Sequence, residues 1–329
     1  MRAIVVRDPG PDSRLELTDL PEPVPAAGEV LIRVRSAGIN RADLLQRRGL
    51  YPPPPGVTSV LGLECAGEVE ATGSRDLDHW IGRRVMCLLS GGGYAECVTV
   101  DAGSVIELPP ALSDHEGGAV PEAFLTAFLN LFDLGGLEPG GAALVHGGSG
   151  GVGTAAIALC RVAGARVAVT AGSPDRCRRC RELGADLAID YHDGDFVEAA
   201  RELTDGAGVD VVLDCIGGPY LERNLAAVRD GGRVVVIGLM GGRRAELDLA
   251  TLLRRHIHIV GSTLRSRPPE FKRDLVRGFE DRFGPALACG DLRPVVDRVL
   301  PLRRAERAHA ALADGGVFGK IVLDVAADA

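Results

Sequence analysis

A glycine-rich turn between an apolar run and a helical one constrains this chain more than any other segment. It reads ALVHGGSGGVGTAAIAL over residues 143–159, with five glycines in seventeen positions. Within it Gly148, Gly150 and Gly153 satisfy G-x-G-x-x-G, directly after a strand-like run and at the opening of a helix. Glycine permits the tight turn, lets a pyrophosphate approach the backbone, and lets helix and strand pack closely. Exposed amides and the positive helix end then favour a diphosphate. Isolated, the motif is weak. Here it opens a run of five βα repeats in about 100 residues, through RVAVTA, LAIDY, VDVVLDC and GRVVVIGL. Near-continuously apolar strands are those of a parallel sheet covered on both faces, so a doubly wound α/β fold that binds a dinucleotide is expected.

The preceding ~110 residues have another texture. Short alternating runs such as EVLIRVRSAG and YAECVTV, rich in Val, Gly and Pro, indicate a β-rich domain with many turns. Pro52 to Pro55 cannot pair inside a sheet and suit a rigid loop over a pocket. After IHIVGST a helix near residues 269–283 precedes short strands ending in GKIVLDV. These resemble the first domain, which is therefore expected to be discontinuous.

The choice of dinucleotide turns on the second strand. A site for NAD usually presents Asp or Glu at that strand's tip to bind the ribose 2′-hydroxyl. Here the tip is Gly172-Ser173, with Arg176 one turn on and Tyr191 ending the third strand. Ser173 can donate a hydrogen bond and Arg176 a charged planar fork, which favours NADPH. Asp175 opposes that reading, and Arg176 can also be read as one more arginine on an exposed helix.

Composition excludes several classes. The net charge is −8, and the 37 basic residues are scattered among acids, so no nucleic-acid partner is expected. No long apolar run or signal-like start suggests a membrane span or secretion, which points to the cytoplasm. Eight cysteines in such a chain are expected to be reduced. The C-x-x-C of Cys177 and Cys180 has no second pair at zinc-ribbon spacing and reads as coincidence on a surface helix.

The segments AGINRADLLQRRGLYPPPPG, LGLECAGEV, GGGYAECVTV, HGGSGGVGTAAI, LDCIGG, STLRSR and GKIVLD make the chain resemble a known family over essentially its whole length. It is similar to the zinc-free quinone oxidoreductases of the medium-chain dehydrogenase/reductase superfamily, more to their tumour-suppressor-inducible branch than to zeta-crystallin. The resemblance implies a GroES-like β-barrel domain from residues 1–120 and 262–329. Around residues 121–261 it implies a Rossmann NADPH-binding domain, with the active site in the cleft between the two. It also implies a homodimer joined near residues 256–261. Zinc-dependent relatives place a Cys in the early motif and a His in G-H-E. Asn40 and Leu63 stand there in this chain, so no metal is expected.

By the same resemblance, Asn40 and Thr126 should lie beside the nicotinamide, and Gly151 and Val152 should meet the pyrophosphate. Ser173, Arg176 and Tyr191 should surround the adenosine phosphate. Cys215, Ile216 and Gly217, with Gly238, Leu239 and Met240, should line the cofactor's reducing half. Leu264 and Lys320 should come across from the other domain. Close relatives carry Ser at Gly150 and lysines near Asp175 and Arg176, so phosphate affinity is expected to be lower here.

Hydride transfer to a quinone depends on distance and alignment. Tyr51, ahead of the proline loop, either packs on the acceptor ring and donates a proton or merely fills the loop's underside. Asp43 reads as an ion-paired structural residue and His146 as structural. Two alternatives share the sequence: an NADPH-dependent alkenal or enoyl reductase acting on an activated alkene, and a non-catalytic, RNA-binding or crystallin-like role.

Overall fold

A computed structural model of the chain describes residues 1–328; Ala329, at the end of the second GroES-like segment, lies outside them. The chain divides into two compact units, residues 1–125 with 265–329, and residues 126–264.

The first unit begins with a two-stranded antiparallel ribbon of β1 (Arg2–Arg7) and β2 (Arg14–Asp19). Strand β3 (Glu29–Gly38) leads into helix α1 (Arg41–Arg47). Strands β4 (Glu64–Thr72), β5 (Arg84–Leu88), β6 (Cys97–Asp101) and β7 (Val105–Glu107) follow, then the short helix α2 (Asp114–Gly117) and α3 (Pro121–Phe128). Asn40 opens α1 with a reciprocal cap: its side chain accepts from the backbone of Asp43, whose carboxylate accepts the Asn40 amide. Ser113 and Glu116 do the same for α2.

The second unit carries β8 (Ala142–His146), α4 (Gly151–Ala163), β9 (Arg166–Ala171), α5 (Pro174–Glu182), β10 (Leu187–Asp190), α6 (Phe196–Leu203) and β11 (Val209–Asp214). It continues through α7 (Leu221–Ala227), β12 (Val228–Val236), α8 (Leu249–Arg255) and β13 (His258–Gly261). All six strands are parallel, in the order β10-β9-β8-β11-β12-β13. That is the doubly wound order 3-2-1-4-5-6, whose reversal between the first and fourth strands creates a crevice at the strands' carboxyl ends. Strand β8 is buried along its whole length, which explains its unbroken apolar sequence.

The chain then returns to the first unit through α9 (Pro269–Cys289), β14 (Val296–Pro301), α10 (Ala305–Ala313) and β15 (Lys320–Asp324). Strand β15 pairs antiparallel with β3, completing a seven-stranded sheet in the order β14-β15-β3-β4-β5-β7, with β6 also on β3. Helix α9 runs six residues beyond the sequence expectation and contains Pro285. Among the described residues no helix is long and apolar enough to cross a membrane.

Candidate functional site

At the end of β8 the glycine turn is dictated by close approach. A Cβ on Gly148 would stand 2.5 Å from the Cβ of Val169, and one on Gly153 2.2 Å from the Gly147 carbonyl oxygen. Gly150 differs, since its nearest neighbour would be 3.4 Å away, so a side chain fits there. Gly150 is the N-cap of α4, and the first-turn amides of Gly151, Val152 and Gly153 have no intrahelical acceptor. These amides and the helix dipole suit a diphosphate.

The tip of β9 faces this turn. Ser173 caps α5 by accepting the Arg176 amide at 3.3 Å, which leaves the hydroxyl proton available to another acceptor. The Arg176 guanidinium reaches back to the glycine turn and donates to Ser149 Oγ at 3.4 Å. The Tyr191 hydroxyl would stand 2.5 Å from a Cβ on Gly172, so the phenol lies against that glycine. Ser149, Ser173, Arg176 and Tyr191 thus gather beside the α4 N-terminus. Asp175 is paired with Arg178, which also binds Glu182. Sequence reasoning missed Ser149, which lies inside the motif at a position that any residue can fill.

The loops after β11 and β12 are tied together. The Met240 amide donates to Cys215 O at 3.1 Å and the Gly241 amide to Ile216 O at 2.8 Å, while Gly217 bridges Gly242. Gly217 sits at φ 86°, and a Cβ there would come within 2.6 Å of Gly242 O. Asp214 anchors the first loop by accepting the amides of Ile216 and Gly217. Asn224 donates to Asp214 and accepts from His146 Nε2 at 2.8 Å, so Nδ1 is left to accept from Thr170. Burial pushes His146 down to about 4, which keeps it neutral and structural. Gly238, Leu239 and Met240 follow β12, the last two more than half exposed. Leu264, expected to come across from the other domain, is instead the buried last residue of the second unit itself. Thr126, at the start of that unit, accepts Asn130 Nδ2 on its carbonyl.

A buried polar cluster lies in the first unit. The ammonium of Lys320 meets Glu64 at 2.6 Å, Asn40 Oδ1 at 2.5 Å and the Ile39 carbonyl at 2.9 Å. Its three N–H groups are used within the unit, where it positions Asn40 and Glu64. Asn40 Nδ2 also donates to Glu64, whose second oxygen accepts the Glu122 amide. Gly38 makes room, because a Cβ there would fall 2.3 Å from Glu64 Oε1. Asp43 is not ion-paired as expected. It accepts from the amides of Asn40 and Gly62 and from Tyr94, and burial raises it to about 6. Glu122 is pushed up to about 8, first by burial and then by Glu64, and one of its buried oxygens has no partner.

This donor set does not fit zinc. Leu63 stands beside Glu64 where a ligand would be needed, and the ammonium and the Asn40 amide already bind the Glu64 carboxylate. Among the described residues no group of three or more His, Cys, Asp or Glu side chains is placed to hold a metal ion.

Tyr51, ahead of the proline loop, is half-buried. The Arg265 guanidinium stands 5.4 Å from its ring centroid and donates to its carbonyl oxygen. Burial raises the phenol's pKa and Glu122 adds to the rise. Arg265 lies in the STLRSR segment without a role read for it, and Lys272 lies outside every motif, yet Lys272 and Lys320 are the only lysines beside 35 arginines, and both are buried.

Residues 151–280 match the family described as zinc-binding dehydrogenase, and residues 26–110 match the alcohol dehydrogenase GroES-like domain. A solved quinone oxidoreductase from Thermus thermophilus, described in complex with NADPH, is 36% identical. It superposes with a TM-score of 0.84 over 99% of this chain and 100% of that one. A structure described as an NAD-dependent alcohol dehydrogenase is 34% identical, with a TM-score of 0.83 over 99% and 100% of the two chains. Phthioceranic/hydroxyphthioceranic acid synthase of Mycobacterium tuberculosis is 37% identical over 211 residues, which is 64% of this chain but only 10% of that protein.

Proposed function

The chain belongs to the medium-chain dehydrogenase/reductase superfamily, and from that premise we propose that it is an NADPH-dependent, zinc-independent quinone oxidoreductase acting as a cytoplasmic homodimer. The observation that carries the cofactor choice is the group of Ser149, Ser173, Arg176 and Tyr191 beside the glycine turn, with Asp175, the acid next to Arg176, paired to Arg178. A 2′-phosphate there meets a guanidinium and hydroxyl donors. The amides of Gly151, Val152 and Gly153 hold the pyrophosphate, and the tied loops at residues 215–217 and 238–240 orient the reducing half.

When bound, NADPH supplies the hydride from its nicotinamide. The chain's own residues bind and position. Asn40, fixed through both ends of its amide by Lys320 and Glu64, offers a side chain with one orientation. Converting a quinone to a quinol takes a proton besides the hydride, and Tyr51 holds one at its hydroxyl through neutral pH. Arg265 over the ring lowers the cost of the phenolate left behind. Replacement of Tyr51 by Phe is therefore expected to reduce kcat/KM at least ~10-fold.

The test is spectrophotometric oxidation of NADPH and of NADH with ortho-quinones, para-quinones and 2-alkenals. NADPH oxidised with quinones, at higher kcat/KM than with NADH or with alkenals, is expected. Preference for NADH would overturn the phosphate cradle, and preference for alkenals would make the chain a C=C reductase.

A further inference from the structure

The first unit holds a second polar feature, of which the hydride-transfer reading uses only the face of Arg265 toward Tyr51. A cavity of about 560 Å³ lies beneath the proline loop, walled by Pro54, Val57, Val60, Leu89, Val98 and Val100. Two buried cations, Arg265 and Lys272, line one side of it, 3% and 6% exposed. Their heads converge on one residue: Arg265 Nε donates to Ser90 O at 2.7 Å, and Lys272 Nζ donates to Ser90 Oγ. Lys272 Nζ also binds the Arg265 carbonyl at 2.9 Å.

Every one of these acceptors is neutral, as is the Tyr51 carbonyl that takes Arg265 Nη1. The remaining guanidinium nitrogen, Nη2, is buried without a partner. The acids lining the cavity are engaged elsewhere. Asp101 is bound bidentately by Arg273, and Glu29 accepts the Ala26 amide. Glu122, which acts on both cations from outside the cavity lining, is held largely protonated by burial. Buried cations are almost always paired with an anion, because desolvation otherwise costs several kcal/mol. Burial pulls the Lys272 pKa down, and the rise contributed by Glu122 and Asp101, neither of which touches the ammonium, does not offset it.

We propose that this cavity is a binding site for a small apolar carboxylate, whose carboxylate pairs with the third N–H of Lys272 Nζ beside Arg265 and whose hydrocarbon or aromatic body lies against the valine and proline walls. Apolar walls with a few convergent charged groups are what such a ligand needs.

Calorimetric titration of the full-length chain with sodium benzoate, and separately with inorganic phosphate, tests the site. Benzoate is expected to bind one per chain and more tightly than phosphate. Lys272→Met should weaken benzoate at least ~10-fold, the loss of one charge-assisted bond. Lys272→Arg should largely restore it, and Arg176→Ala, at the separate phosphate cradle, should leave it unchanged. Should Lys272→Met fail to fold, Val57→Trp fills the cavity from the loop side and is expected to abolish binding without touching either cation. No benzoate binding to the wild type, binding insensitive to Lys272→Met and Val57→Trp, or binding lost in Arg176→Ala would overturn the proposal. Phosphate binding as tightly as benzoate, and lost in Lys272→Met, would overturn the apolar part of it.

Discussion

At the scale of single residues, the glycines were legible because their reason is local, whereas the charges were not. Gly148 and Gly153 leave no room for a Cβ, and a strand–turn–helix pattern announces that need. Glu122 announces nothing: it stands at the start of α3 like any first-turn acid, and only the approach of Glu64 and burial change its chemistry. Its folded value of about 8 lies above the ordinary 4.5, so the folded state keeps a proton that the unfolded chain releases. That contribution to stability is complete below about pH 4.5 and is lost as pH rises toward 8. Glu122→Gln mimics the protonated form. The melting temperature of the wild type is thus expected to fall relative to that of Glu122→Gln between pH 5 and 8, by up to about 1.4 kcal/mol of stability per pH unit. Parallel melting curves across that range would show that Glu122 ionises normally in the fold.

At the scale of elements, the doubly wound parallel sheet followed from period and composition, because parallel strands covered on both faces must read as apolar runs, whereas the strand order came only from the structure. Side-chain direction within an element was less legible. Cys177 and Cys180 sit on α5, taken as a surface helix, but both point to its buried side, and burial pushes the Cys180 thiol up to about 12. Burial thus disfavours the thiolate at both positions. Arg176, one residue before Cys177, turns the other way, and its reach to Ser149 links α5 to the glycine turn. Removing it should therefore act on one cofactor only. Arg176→Ala is expected to raise KM for NADPH at least ~10-fold, the value of a charge-assisted bond, and to change KM for NADH by less than about 3-fold. Equal effects on both nucleotides would make Arg176 a structural link between α5 and the turn.

At the scale of the whole molecule, the second unit ends in an unprotected feature. Its six-stranded sheet stops at β13, and that edge carries no covering strand among the described residues. Most of β13 is exposed, Ile259 is 38% accessible, and Leu249 and Leu253 on α8 are exposed as well. A sheet edge with unpaired backbone groups beside apolar side chains is a template for another strand, and soluble proteins rarely leave one bare. The other edge, β10, is half-buried along its length, so the two edges are not equivalent. A second copy meeting the first β13 to β13 would continue the sheet through a two-fold axis, placing each Ile259 near its mate. Charge introduced there would face like charge. Sedimentation of the wild type is expected to give a dimer at micromolar concentration. Ile259→Lys should weaken the pairing at least ~10-fold, the cost of close like charges over lost apolar burial. NADPH affinity should be unchanged, because Ser173, Arg176 and the glycine turn lie on strands β8 and β9 at the middle of the sheet. A wild type that sediments as a monomer, or an Ile259→Lys variant as dimeric as the parent, would mean that this edge is left open and that pairing, if any, uses another face.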